Sequence, residues 1–158
     1  MSEPTPKSPR ASLTESTEIV LPQHTNAIGT AFGGTIMSWI DICAAVSAQR
    51  HCGRVAVTAS VDALEFTAPI RLGDVVILHA RINAVFRTSM EVACSVHREI
   101  TETGERILCA EALLTFVNIG PDGRPAGIVP LAVETEDDAA RAKAAVERRA
   151  FRLAQKHR

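Results

Sequence analysis

Between Gly33 and Arg50 the apolar residues recur at helical spacing, and beyond Gly53 they recur at every second position. The run GGTIMSWIDICAAVSAQR predicts one strong helix. Ile36, Trp39, Ile40, Cys43 and Val46 fill a wide arc of it, while Thr35, Ser38, Asp41 and Gln49 share a narrow polar one. Ala44, Ala45, Ser47 and Ala48 make its second half slim enough for another backbone to approach. Ahead of the helix, Ile19 to Leu21 begin a short strand ending at Pro22, and the turn formers Gln23, His24, Thr25 and Asn26 lead to Gly29.

Long strands follow. One runs through Val55 to Phe66. In the next, Val76, Leu78, Ala80, Ile82, Ala84 and Phe86 alternate with Val75, Ile77, His79, Arg81, Asn83 and Val85, a pattern with one buried face. Arg87, Thr88 and Ser89 make the turn to a hairpin partner in which Met90, Val92, Cys94 and Val96 alternate with Glu91, Ala93, Ser95 and His97. Glu102 to Glu105 turn the chain again. From Ile107 to Val117 both faces are apolar, which calls for cover on both sides and points to a partner subunit. Thr135 opens a final helix with a capping pattern ending at Asp138; acidic residues precede it, and Arg148, Arg149, Arg152, Lys156 and Arg158 crowd its end, the order a helix dipole favours. A short strand, one buried helix and four long strands in succession define an α+β chain, a long antiparallel sheet wrapped around a central helix.

Residues 1–17 hold ten Ser, Thr or Pro and three apolar side chains, so a disordered tail is expected there, followed by the core domain over 18–133 and the charged C-terminal helix over 134–158. A length of 158 residues with 46% hydrophobic residues suits a single compact domain. Seventeen Lys and Arg against eighteen Asp and Glu leave a net charge of -1, with no basic field for nucleic acid. Tyr is absent, which excludes a phenolic acid or base. Cys43, Cys52, Cys94 and Cys109 form no C-x-x-C pair and do not cluster with His at zinc-ligand spacing, so no metal site is expected. Three of them lie in apolar runs, and no leader or membrane-length apolar run is visible, which predicts a reduced, cytoplasmic protein that does not enter a membrane.

Gly29 to Thr35 has the glycine spacing of a phosphate loop but carries Thr where that loop needs Lys, so nucleotide hydrolysis is excluded. Gly33 and Gly34 stand where the buried helix begins. Their backbone N–H groups can approach a ligand oxygen at the positive end of the dipole, or the pair can simply ease a tight entry. Asp41 lies two turns inside the most apolar helix, where an ionised carboxylate needs a partner, a wet cleft or a thin solvent-facing stripe. Asn26 sits on the loop feeding the same helix, as a site residue or as a turn former.

These residues fall in the runs LPQHTNAIGTAFGGTIMSWIDICAAVSAQRHC, TASVDALEFTAPIRLGDVVILHARI and RTSMEV, which resemble the hotdog-fold acyl-CoA thioesterases of the YciA and brain acyl-CoA hydrolase type over about residues 17–120. The resemblance implies a hotdog fold for the domain over 18–133 and hydrolysis of fatty acyl-CoA to free fatty acid and coenzyme A. It implies Asp41 as general base or nucleophile, and Asn26, from the opposite subunit, positioning water or substrate. Gly33 and Gly34 match the backbone that polarises the thioester carbonyl, and Arg87, Thr88 and Ser89 match the region that holds coenzyme A. By the same resemblance coenzyme A is a substrate and product moiety with no separate cofactor, and the assembly is a homo-oligomer, a dimer at least and a trimer of dimers in relatives. Two alternatives fit the residues less well. A hotdog dehydratase needs an H-x-x-x-x-P-G context that His24 lacks, and a non-catalytic acyl-CoA-binding regulator needs a DNA-binding module that a 17-residue tail cannot form.

Overall fold

The structure, a computed structural model, describes residues 3–156, so Arg158 and the first two residues of the tail lie outside it. Strands β1 (Thr14–Ile19), β2 (Ala56–Phe66), β3 (Val75–Val85), β4 (Ser89–Ile100) and β5 (Glu105–Asn118) form one antiparallel sheet in the order β1-β3-β4-β5-β2. Helix α1 (Gly33–Cys52) lies in its concave face, and helix α2 (Glu136–Gln155) lies against the other face.

Alternation sorts the strand residues between the faces. Val76, Leu78, Ala80 and Ile82 of β3, Val92, Cys94 and Val96 of β4, and Ala112, Leu114 and Phe116 of β5 meet Ile36, Ile40, Cys43 and Ala44 of α1 in one core. Burying a large aliphatic side chain of this kind contributes about 1.5–3 kcal/mol, so this face dominates the cohesion of the fold. Within it the hydrogen bond to Cys43, reinforced by burial, pushes the Cys94 thiol up, which keeps it protonated and inert. Helix α1 ends where Gly53, at φ 68°, returns its N–H to the Gln49 carbonyl at 2.8 Å, a left-handed cap that suits glycine.

Three expectations need correction. The tail is ordered where the structure describes it: residues 9–12 form a 3-10 turn, and β1 begins at Thr14 and pairs with β3 from Thr14↔Ala80 to Ile19↔Val75. Counting apolar side chains missed the backbone ladder and two polar anchors. Lys7 donates to the Arg50 and His51 carbonyls at the end of α1, and Arg10 clasps Asp138 of α2 at 2.9 Å. The slim second half of α1 does admit another backbone, that of its own chain: Ala44 and Ala48 are fully buried, and the backbone passing near Cys43 is that of Thr14 and Leu78. Val46, expected in the buried arc, is 36% exposed, because the core-facing arc is centred on Ile40.

Finally, the outer face of β3 is not left to solvent. Helix α2 crosses it, with Arg81 bonded to Asp138, Arg148 to Glu91 at 2.6 Å, and Arg152 facing Asp62 at 3.4 Å. Glu91 is 2% exposed and also accepts from Asn83 Nδ2 at 2.9 Å, so the charge that α2 covers is paired twice. Arg10 first, then Arg81 and the N–H groups around Thr135, hold the Asp138 carboxyl far below the usual carboxylate range. Part of the cover expected from a partner thus comes from the chain's own C-terminal helix.

Candidate active site

The bonding of α1 leaves its first turn uncapped. Phe32 is the N-cap and offers no side-chain acceptor, Thr35 and Ile36 both return their N–H groups to the Phe32 carbonyl, and among the described residues the N–H groups of Gly33 and Gly34 meet no acceptor. A Cβ on Gly34 would touch nothing within 4 Å, and one on Gly33 would meet only the Phe66 ring at 3.8 Å. Beside this turn a cleft of about 360 Å³ opens between Thr30, Ala31, Ile36, Phe66, Pro69 and Ile70.

Asn26 faces the same entry. Its Oδ1 accepts the N–H groups of Ile28 and Thr30, both at 3.1 Å, and its Nδ2 donates to Thr30 Oγ1 at 2.7 Å. The side chain therefore shapes the turn around Gly29, at φ 78°, and keeps one amide hydrogen to offer.

Asp41 stands farther along α1, half-buried, and Oδ1 accepts the Thr58 hydroxyl at 2.5 Å. Thr58 is a residue that sequence reasoning missed. It precedes a shift of register in β2 between Thr58 and Ser60, and a bulge re-aims the side chains on either side of it. Regular alternation carries no sign of that, and a short hydroxyl residue in a strand reads as ordinary.

The Arg87 turn lies at this end of the sheet, because Ser89 is in register with Val117 and Val117 with Val57. The turn is fixed by backbone bonds from Ile128 to the Arg87 carbonyl and from Asn118 to the Thr88 carbonyl, and Arg87 itself is exposed with no ion-pair partner among the described residues. Arg149 lies over the neighbouring Phe86 ring at 4.7 Å, while Arg148 and Arg152 are committed to Glu91 and Asp62.

One chain thus holds two separate groups of candidate residues along α1: Asn26, Gly33 and Gly34 at its start, and Asp41, Thr58 and the Arg87 turn near its middle. Eight residues of helix separate Gly33 from Asp41, about 12 Å of rise, so the chain alone does not bring them together. Among the described residues no group of three or more His, Cys, Asp or Glu is set to hold a metal ion, and no helix is long and apolar enough to cross a membrane.

A long helix packed against a five-stranded antiparallel sheet is the hotdog arrangement. The model of the Thioesterase superfamily matches residues 28–105. The chain is 42% identical over 132 residues to the uncharacterized acyl-CoA thioester hydrolase YkhA of Bacillus subtilis, covering 84% of this chain and 77% of that one. It belongs to the Thioesterase superfamily, among the acyl-CoA thioester hydrolases.

Solved structures agree. The acyl-CoA hydrolase of Staphylococcus aureus, seen with butyryl coenzyme A, coenzyme A and coenzyme A disulfide, superposes with a TM-score of 0.90 at 32% identity over 96% of this chain and 93% of that one. The same enzyme has also been solved with an aspartate, an asparagine or a threonine replaced by alanine. A hexameric acyl-CoA thioesterase superposes with a TM-score of 0.89 at 34% identity over 98% of both chains.

Proposed function

We propose that fatty acyl-CoA is hydrolysed to fatty acid and coenzyme A at a site completed by two copies of the chain, with Asp41 as the base or nucleophile. The observation that carries this reading is the hydrogen bond from Thr58 to Asp41, which anchors one carboxylate oxygen and leaves the other without a donor among the described residues. In the S. aureus enzyme the asparagine, aspartate and threonine chosen for replacement are spaced by 15 and 17 residues, and Asn26, Asp41 and Thr58 have the same spacing here.

A second copy is the natural way to unite the two groups. Strand β2 is an edge of the sheet, and Val57, Val61 and Phe66 on it, with Met37, Ile42 and Val46 on α1, are large apolar side chains exposed by 36–60%. Antiparallel pairing of two β2 edges about a two-fold axis near Asp62 sets Thr58 of one copy opposite Phe66 of the other. That brings Asp41 of one α1 to the Gly33 end of the next. Hexameric relatives favour three such dimers.

In this site the Gly33 and Gly34 N–H groups stabilise the oxyanion that develops on the thioester carbonyl. Asp41 takes the proton of an attacking water, with Asn26 orienting the water or substrate. In the nucleophilic form, Asp41 attacks the carbonyl carbon, and water then cleaves the resulting anhydride. The thiolate leaves without strong acid help, since thiol pKa values are near 8.5. Arg87, with Thr88 and Ser89, meets the phosphates of coenzyme A, which is a substrate moiety; the chemistry calls for no further cofactor. Four free thiols suit a reducing cytoplasm.

Incubation with a panel of acyl-CoA thioesters of increasing chain length, following loss of the thioester absorbance, tests the reading. Turnover of medium or long acyl chains supports it, and inertness toward the whole panel rejects it.

A further inference from the structure

His24 is not used by the chemistry above, yet three contacts bind it to the Asn26 loop and to α1. Its Nδ1 accepts the Leu21 N–H at 3.0 Å, its carbonyl accepts the Phe32 N–H at 2.8 Å, and its ring meets the Trp39 ring edge-on at 5.0 Å between centroids. One residue thereby joins the start of the loop, the N-cap that precedes Gly33, and the second turn of α1. The flanking turn is closed by Thr25 Oγ1 donating to the Pro22 carbonyl at 2.7 Å, and Asn26 follows two positions after His24.

A backbone N–H can only donate, so Nδ1 presents its lone pair to Leu21. A side chain without an acceptor at this place would leave the Leu21 N–H to water and untie the start of the loop from the helix entry.

We infer that His24 is a positioning residue for thioester hydrolysis: by accepting the Leu21 N–H, accepting the Phe32 N–H at its carbonyl and packing on Trp39, it holds the loop and helix entry that present Asn26, Gly33 and Gly34. The inference rests on the reading that these three belong to the site. It predicts that loss of the acceptor at Nδ1 lowers kcat more than it raises KM, and that an acceptor restored at that place recovers kcat.

The test is the split of kcat against KM, read by thioester absorbance, in His24→Ala and His24→Asn. His24→Asn places a carbonyl oxygen near the position of Nδ1. Its kcat should stay within about twofold of wild type, while His24→Ala should lose about tenfold in kcat with KM within about twofold. A folded His24→Ala enzyme with wild-type kcat overturns the inference, and so, whether or not His24→Ala folds, does a folded His24→Asn enzyme that loses about tenfold or more. Unchanged kinetics in Asn26→Ala would instead remove Asn26 from the site, and the two failures are distinguishable.

Discussion

Thr58 of the edge strand β2 donates its hydroxyl to Asp41 of the central helix across 2.5 Å, so the register of a bulged strand sets the direction in which a helix carboxylate points. A hydrogen bond to a charged group is worth about 1.5–3 kcal/mol. Here it anchors Oδ1 and leaves Oδ2 without a donor among the described residues.

Asp41→Asn keeps volume and removes the base, and turnover should fall by about a hundredfold or more with the fold intact. Thr58→Val should lower kcat by about tenfold, through loss of orientation alone. Steady-state kinetics beside circular dichroism check both, and near-normal hydrolysis by folded Asp41→Asn protein would end the assignment.

Arg87 is exposed on a turn fixed by backbone bonds, while Arg148 and Arg152 are held by carboxylates. Arg87→Ala should raise KM for acyl-CoA by about tenfold, with less effect on a truncated thioester that lacks the nucleotide. Equal losses on both substrates would place Arg87 in support of the fold or the chemistry.

Ile42 is 60% exposed on α1, one residue past Asp41. Ile42→Glu costs the isolated chain little, but in an assembly it buries a charge. Sedimentation should find smaller particles with little activity; an intact, active oligomer would move the interface elsewhere.

His51 is fully buried, its Nε2 lies 2.8 Å from the Val129 carbonyl, and burial pushes its pKa below the ordinary histidine value. The unfolded chain therefore takes up this proton first. The stability due to neutral His51 is complete above about pH 6.5 and is lost as pH falls from there through the lower folded value. His97, also shifted downward by burial, adds to the same window. Calorimetry should show Tm falling by a few degrees between about pH 7.5 and about pH 5.5. His51→Gln can still donate to Val129 and does not titrate, so it should show a shallower fall; an identical slope would assign the effect to other groups.

The sequence by itself determined the long helix from Gly33, the strands after Gly53 and the α+β class, because periodicity is a local consequence of which faces are buried. It also marked Asp41 and the paired glycines as candidates, since a carboxylate in an apolar helix and bare glycines at its entry are visible as residue types, whereas Asn26 and the Arg87 turn became site candidates through the resemblance to acyl-CoA thioesterases. Tertiary structure decided what those types leave open. Whether polar residues 7–19 order depends on acceptors at Pro130, Arg50 and His51 and on the β3 edge, all distant in sequence. The match of Thr58 to Asp41 depends on a register shift, which a strict alternation of two cannot encode. The apolar outer face was legible, but its cover was not: the pairing of Arg148 with Glu91 joins residues 57 positions apart, and only the packed sheet selects which arginine of α2 reaches the buried acid.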